Sequence, residues 1–227
     1  MARILFGLSA VLFGIIALMW HDADTWQSLF RLLRLPSGEF IGGALMAAQI
    51  IGGIGLMLPR SSRPASALLL VVFGITSLTC VPAIFAHPQT YAAYGSFFEQ
   101  FSLFCGALAV FTAAPARIGL GLCAVSFALA QAFYLKFTAS LVPKWMPPDQ
   151  MFWAVLTTVA FALAAIALLT SIRARLAARS MVLMIVLFGL LVWVPLLAAQ
   201  PQSHGNWSEF LLTFLIAGAS WTVGEEL

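Results

Sequence analysis

Charged residues are scarce in this chain of 227 residues. Only 8% of its residues are Asp, Glu, Lys or Arg, whereas 62% are hydrophobic and the mean hydropathy is +1.02. Soluble domains carry about 25% charged residues, because a folded surface must be solvated. The composition therefore excludes a water-soluble globule and a disordered chain. A net charge of only +3 forms no basic patch, which excludes nucleic acid as a partner.

Cysteine is also rare, and its spacing carries no motif. Cys80, Cys105 and Cys123 are irregularly spaced, and the sequence has no Cys-x-x-Cys pair. This excludes a fold built on disulfides and a thiol relay run by the usual motif. All three lie within apolar stretches, where cysteine behaves as a small buried hydrophobe. A bond between Cys80 and Cys105 stays open as an alternative.

Long apolar runs make up most of the chain. A membrane helix needs about 20 mainly apolar residues, and the continuous runs do not alternate as barrel strands do. The sequence therefore predicts an all-α membrane protein with eight transmembrane helices. The predicted spans are 3–20, 40–58, 66–86, 96–114, 118–137, 151–170, 181–199 and 208–224. Met19-Trp20-His21 offers no small-x-small cleavage site, so the first span is expected to be retained.

The two halves of the chain resemble each other. Proline and polar positions recur in one order at offsets of 110 to 114 residues; the segments are 81–88 with 194–201 and 95–99 with 205–209. This pattern predicts two tandem four-helix units, 1–114 and 115–227. Because each unit has an even number of spans, both insert the same way up. We expect a parallel repeat related by an axis along the membrane normal.

One segment has no counterpart in the second half. Trp26, Leu29, Phe30 and Leu33 recur at helical spacing, with polar residues off that stripe. The pattern predicts a short amphipathic helix near 24–35, lying in the outer interface of the membrane. The corresponding segment 141–148 contains three prolines, which argue against a helix there.

The distribution of Lys and Arg predicts the orientation. Seven basic residues fall on the side of the two termini: Arg3, Arg60, Arg63, Arg117, Arg173, Arg175 and Arg179. The other side holds four: Arg31, Arg34, Lys136 and Lys144. Basic loops remain cytoplasmic. We therefore expect a multi-pass protein of a bacterial inner (plasma) membrane with both termini in the cytoplasm.

Acidic residues inside apolar spans are the best candidates for a site. Glu99 and Glu209 each lie near the outer end of a span, where an acid is expensive and should face the bundle interior. Either residue can serve as a structural carboxylate or as a ligand or proton site. Lys136 either extends to the membrane interface or forms an ion pair with one of the two glutamates. Arg31 and Arg34 are the alternative partners for these glutamates.

A small polar pocket open to the outer face follows from these positions. Its expected lining residues are Glu99, Glu209, Lys136, Trp207, Tyr134 and His87. The three histidines show no metal-ligand spacing, so no metal site is predicted. No catalytic residue and no cofactor can be named from the sequence.

Segments of the second half resemble a known family. Lys136-Phe with Val142-Pro-Lys-Trp-Met-Pro-Pro148, then Phe152-Trp153 and Asn206-Trp207-x-Glu209, resemble the DoxX-like membrane family in its tandem form. The resemblance implies a four-helix unit per half and a bacterial inner-membrane location. It also implies an association with quinone-linked sulfur oxidation or with oxidative and thiol stress. More distant relatives act as chaperones or cargo receptors.

The expected function is binding rather than catalysis. We expect an accessory or quinone-like small-molecule binding subunit of a membrane redox system. Its partners would be the lipid bilayer and a membrane or periplasmic oxidoreductase. Two alternatives remain at this point: a membrane chaperone or assembly factor, and a transporter with a site on the outer face.

Overall fold

The computed structural model describes residues 1–20 and 38–227, and these ranges are helical with no strand. The helices are α1 (Ala2–Trp20), α2 (Gly38–Met57), α3 (Ser62–Ala86), α4 (Tyr91–Ala109), α5 (Ala113–Phe133), α6 (Leu135–Leu141), α7 (Gln150–Thr170), α8 (Ala174–Phe188), α9 (Val194–Ala199) and α10 (His204–Glu226). A π-helical segment, Gly189–Trp193, joins α8 to α9. The prediction of an all-α fold is confirmed.

Large apolar side chains lie on the outside of the bundle and small ones inside. On α1 the exposed side chains are Ile4, Leu8, Leu12, Ile15 and Met19. The buried face of the same helix carries mainly small residues: Ala2, Gly7, Ser9, Ala10, Gly14 and Ala17, with Phe6 and Phe13. Small residues allow helices to approach closely where lipid offers no hydrophobic driving force. The chain is a helical membrane protein.

Six segments of the described residues are long and apolar enough to cross a membrane. They are Ala2–Trp20, Phe40–Met57, Ser62–Ala86, Ala113–Phe133, Gln150–Thr170 and Ala174–Ala199. The long helices α4 and α10 are not among the six. Both carry acidic and hydroxyl side chains, and α10 is buried on all sides between Leu215 and Ser220. Protein rather than lipid surrounds this stretch, so it needs less hydrophobicity.

The long helices pack in chain order around a closed ring. Each of α1 to α5 packs on the next, α5 packs on α7, α7 on α8, α8 on α10, and α10 returns to α1. Helices α4 and α10 also pack on each other across the ring. The helix α6 lies against α7.

Several helices begin earlier than the sequence predicts. The start of α3 is Ser62 rather than 66, and that of α5 is Ala113 rather than 118. Pro64 and Pro115 cause the difference, since proline is tolerated in the first turn, where the N–H groups have no intrahelical partner. The span predicted at 118–137 is interrupted, because α5 ends at Phe133 and Tyr134 separates it from α6.

Two predicted features concern the connections between helices. The amphipathic helix near 24–35, with Arg31 and Arg34, lies outside the described residues. The segment 142–149 is described and is not helical, as its prolines predict. Asp149 then caps α7, accepting a hydrogen bond from the Phe152 backbone N–H at 2.8 Å.

Candidate functional site

The bundle has two chemically different ends. At the end where α1 begins, the Arg3 guanidinium lies 2.7 Å from the Glu226 carboxylate, close to the start of α3. All seven basic residues predicted on the side of the termini belong to this arginine-rich end. At the opposite end, the Trp20 ring contacts the His204 ring at 5.3 Å, and Tyr91 contacts Phe133 at 5.2 Å.

A cavity of about 240 Å³ lies inside the second half of the bundle, towards the opposite end. We call it the core cavity. Side chains of α4, α5, α6, α7, α8 and α10 line it, and most of them are apolar. The lining residues are Glu99, Phe127, Ala130, Gln131, Thr138, Val142, Thr157, Phe161, Met184, Ile185, Phe188, Thr213 and Ile216.

A short polar row crosses this apolar lining. The hydroxyls of Thr157 and Thr158 lie 3.0 and 3.2 Å from the Gln131 side-chain oxygen. Each hydroxyl also lies within hydrogen-bond distance of a backbone carbonyl oxygen of α7, so the amide and the two hydroxyls form one local polar network. Glu99 reaches the same cavity from α4. An apolar cavity with a few convergent polar groups is typical of a small-molecule site.

The π-helical segment begins directly at this cavity. Phe188 lines the cavity, and Gly189 follows as the first residue of Gly189–Trp193. A Cβ on Gly189 would lie 2.8 Å from the Phe214 ring, so this position requires the close approach that only glycine permits. π-Bulges are frequent at functional sites, because they re-aim the side chains of a helix.

Three aromatic side chains bind the carbonyl oxygens of prolines in the same way. Trp153 Nε1 donates to Pro147 O at 2.8 Å, Trp207 Nε1 to Pro201 O at 2.9 Å, and Tyr94 Oη to Pro88 O at 3.2 Å. Each proline precedes its aromatic residue by six positions and lies just before a helix of the opposite end. These contacts fix the loop onto the helix that follows. Trp207 therefore has a structural partner and does not line the core cavity.

Of the residues that the sequence predicts for the pocket, only Glu99 lines the core cavity. Glu209 is on the exposed face of α10, while its backbone oxygen accepts from the Thr213 hydroxyl at 2.7 Å. Tyr134 is 41% exposed at the end of α5, and His87 is exposed at the end of α3. Lys136 is exposed on α6, and within the described residues it makes no ion pair with Glu99 or Glu209. Arg31 and Arg34 lie outside that range.

Glu99 and Glu209 do not occupy equivalent positions. The starts of α4 and α10 are 113 residues apart, and so are the hydrogen-bonding residues Tyr94 and Trp207. At that separation Ser96, not Glu99, corresponds to Glu209. The two glutamates thus differ by three residues, or about 4.5 Å along a helix axis. The sequence comparison of 95–99 with 205–209 uses a separation of 110 residues, because it aligns Gly95 with Gly205 rather than the helix starts.

The cysteine pair expected as an alternative is not formed. Cys105 carries a free, buried thiol, and so does Cys123. The two thiols are neighbours across the α4–α5 contact. Gly119 makes room for this contact, since a Cβ there would lie 2.5 Å from Cys105 Sγ. No group of three His, Cys, Asp or Glu residues suited to a metal ion occurs among the described residues.

Sequence reasoning missed Gln131 and Thr157 as lining residues of the core cavity, and Thr158 as their polar neighbour. Their signal was present: an amide near the end of one apolar span and two adjacent hydroxyls within another. Threonine hydroxyls in membrane helices usually bond the carbonyl one turn earlier, as Thr158 does to Ala154 O at 2.7 Å. Only the packing of α7 on α5 brings Thr157 and Thr158 beside Gln131.

No protein-family model, no curated protein and no solved structure matches this chain. The class that the fold and the cavity define is a multi-pass helical membrane protein with an internal, largely apolar cavity.

Proposed function

We propose that this membrane protein binds an amphiphilic small molecule with a compact polar head, such as a quinone, in the core cavity. The observation that carries this proposal is the contact of Gln131 with Thr157 in a mainly apolar lining that Glu99 also reaches. Thr158 lies beside Gln131, outside the lining. A quinone head carries two carbonyl acceptors. The Gln131 side-chain amide carries N–H donors that can bind such an acceptor.

The volume of the cavity favours a ring-sized head over a larger ligand. At about 240 Å³ it is smaller than the roughly 300–1,000 Å³ of drug-sized sites. Phe127, Phe161 and Phe188 supply flat apolar surface for such a ring. An isoprenoid tail would remain in the lipid. In this role the protein is an accessory subunit of a membrane redox system with a membrane or periplasmic oxidoreductase as its partner, as the DoxX-like resemblance implies.

We propose further that the chain is a duplicated eight-span protein of the DoxX-like family. In addition to the six apolar segments, α4 and α10 would then cross the membrane at the centre of the ring. The packing supports this arrangement, because the helix pairs of one half correspond in order to those of the other. The ring contacts Trp20–His204 and Phe133–Tyr91 also correspond, each residue lying 113 positions from its counterpart.

The proposed orientation places the arginine-rich end in the cytoplasm of a bacterium. Both chain termini lie at that end, joined by contacts of Met1 with Glu225 and of Arg3 with Glu226. Basic residues at membrane ends favour the cytoplasmic side. The core cavity would then open towards the outer half of the bilayer.

Binding of decylubiquinone and menadione to the purified protein tests the proposed function. Titration in detergent, followed by thermal stability and native mass spectrometry, should give a saturable one-to-one complex. A Gln131→Leu variant loses the N–H₂ donors and should weaken binding about 10-fold, the equivalent of one hydrogen bond to a carbonyl. Absence of saturable binding for both quinones would contradict the proposal.

A matched control exists in the first half. Thr76 donates to Gln100 Oε1 at 3.0 Å between α3 and α4, which repeats the chemistry of Thr157 and Gln131 away from the core cavity. Thr157→Val should reduce both quinone binding and stability. Thr76→Val should reduce stability about as much as Thr157→Val does and leave quinone binding unchanged. Equal effects of both variants on binding would show that lost stability, not a lost site, is measured.

A further inference from the structure

A second cavity, of about 370 Å³, lies at the arginine-rich end. We call it the arginine pocket. Three helices and two connections meet there, and the lining residues are Arg3, Pro59, Arg60, Ser62, Arg63, Val110 and Glu226. Its lining is mainly polar, in contrast to the core cavity. Nothing in the proposed quinone site uses these residues.

The charges of the arginine pocket do not cancel. The Arg3 guanidinium donates to Glu226 Oε1 at 2.7 Å and to Ser62 Oγ at 3.4 Å, so this arginine is held in place and its charge is offset. Arg60 and Arg63 are exposed, and within the described residues neither makes an ion pair. Both residues line the pocket, and their two positive charges have no acidic partner among the described residues.

The start of α3 adds hydrogen-bond donors to the same place. Ser61 precedes the helix and its side chain does not cap it; the Ser61 hydroxyl donates instead to Gly55 O at 2.8 Å. Pro64 has no N–H group to offer. The backbone N–H groups of Ser62 and Arg63 are thus left at the positive end of the helix, beside the arginine side chains.

We propose that the arginine pocket binds a phosphate group, supplied by the headgroup of an anionic phospholipid. A guanidinium presents two parallel N–H donors that match two phosphate oxygens. The pocket lies at the end of the membrane-spanning segments α1 and α3, where headgroups lie. Anionic lipids bind such clusters, with each Arg near the surface adding to the attraction. This inference does not depend on the proposed quinone site.

The arginines of the second half are arranged differently from those of the arginine pocket. The α7–α8 connection carries Arg173 and the first turn of α8 carries Arg175, and neither lines the arginine pocket. The guanidinium of Arg117, at the start of α5, donates to the carbonyl oxygens of Leu168 and Leu169 at the end of α7. That arginine caps a helix and does not bind a carboxylate beside a pocket, as Arg3 does.

The test compares lipid retention by two double variants. Wild type, Arg60→Gln/Arg63→Gln and Arg173→Gln/Arg175→Gln are reconstituted with equal phosphatidylglycerol and phosphatidylcholine, then delipidated and examined by native mass spectrometry. We expect wild type and the Arg173/Arg175 variant to retain one phosphatidylglycerol preferentially. The Arg60/Arg63 variant should lose this preference by about 10-fold. Both double variants remove the same charge from the same end.

Three outcomes decide the proposal and its lipid source. The proposal is overturned if both double variants lose the preference for phosphatidylglycerol equally, because diffuse surface charge then explains retention. It is also overturned if the wild type shows no preference. Inorganic phosphate is titrated in parallel against the delipidated protein. Protection from thermal unfolding by phosphate in wild type but not in the Arg60/Arg63 variant, without lipid preference, overturns the lipid source and assigns the pocket to a soluble phosphate.

Discussion

Gly106 of α4 contacts Ala219 of α10 so closely that a Cβ on Gly106 would lie 2.5 Å from the Cβ of Ala219. The two residues are 113 positions apart, the same separation as Tyr94 and Trp207. Each is therefore the counterpart of the other. Contacts between counterpart residues are expected beside a two-fold axis. This contact supports the proposed parallel repeat and indicates that its axis passes between α4 and α10.

Replacing Gly106 tests the contact between the two halves. Gly106→Ala should lower stability by about 1–3 kcal/mol, because the added methyl group meets the Cα and Cβ of Ala219. Gly95→Ala is the matched control on the same helix, since nothing lies within 4 Å of a Cβ at that position. Thermal unfolding in detergent measures both. Equal midpoints for the two variants would contradict the close packing of α4 on α10.

Much of the fold is predictable from the sequence, because apolar runs and prolines carry local physics. Continuous hydrophobic segments predict helices, and the proline-rich segment 142–149 predicts the non-helical connection that the structure has. Helix starts are less predictable. Pro64 and Pro115 indicate a break in the sequence, yet each lies inside the first turn of its helix.

The site is predictable only in part, because its residues come from six helices and one connection. Glu99 is recognisable alone as an acid in an apolar span. Gln131 and Thr157 are ordinary polar residues until α5 and α7 pack together. Alignment of Glu99 with Glu209 fails for a related reason. Sequence similarity between short apolar segments does not define helix register, whereas the helix starts and hydrogen bonds do.

The aromatic–proline contacts should stabilise the opposite end of the bundle. Trp153→Phe keeps an aromatic side chain but removes the Nε1 donor to Pro147 O. It should lower the free energy of unfolding by about 0.5–1.5 kcal/mol. Trp145→Phe is the control, since Trp145 is 73% exposed and donates no hydrogen bond within the described residues. Chemical unfolding in mixed micelles measures the difference. A loss of stability in Trp145→Phe as large as in Trp153→Phe would remove the assigned role.

Arg117 should be the most important arginine for stability. Its guanidinium donates to two carbonyl oxygens at the end of α7, where helical carbonyls otherwise lack partners. Arg117→Gln should cost about 1.5–3 kcal/mol, the range for hydrogen bonds to a charged group. Arg179→Gln, at an exposed position of α8, should change the unfolding midpoint little. The reverse ranking of the two variants would contradict this helix-capping role.

Cysteine labelling tests the proposed topology. A variant with Cys80, Cys105 and Cys123 replaced by Ala supplies the background. In intact cells, a membrane-impermeant maleimide should label a cysteine at Gln202 from outside, because 201–203 connects helices at the opposite end. A cysteine at Arg175, at the arginine-rich end, should react only after permeabilisation. Labelling of the Gln202 position solely after permeabilisation would reverse the orientation.

Glu99 and Glu209 should differ in their effect on ligand binding, although both are acids near the same end of the bundle. Glu99 lines the core cavity, whereas Glu209 does not and is exposed. Glu99→Gln replaces a carboxylate, which only accepts hydrogen bonds, by an amide that can donate to a quinone carbonyl. It should therefore strengthen decylubiquinone binding by about 10-fold, the equivalent of one hydrogen bond.

Glu209→Gln is the matched control, since it removes the same charge from the second turn of α10 outside the cavity. It should leave the dissociation constant within about twofold of wild type, whatever it does to stability. Titrations of both variants at one detergent concentration measure the contrast. A changed dissociation constant in Glu209→Gln with an unchanged one in Glu99→Gln would move the site out of the core cavity and onto the exposed face of α10.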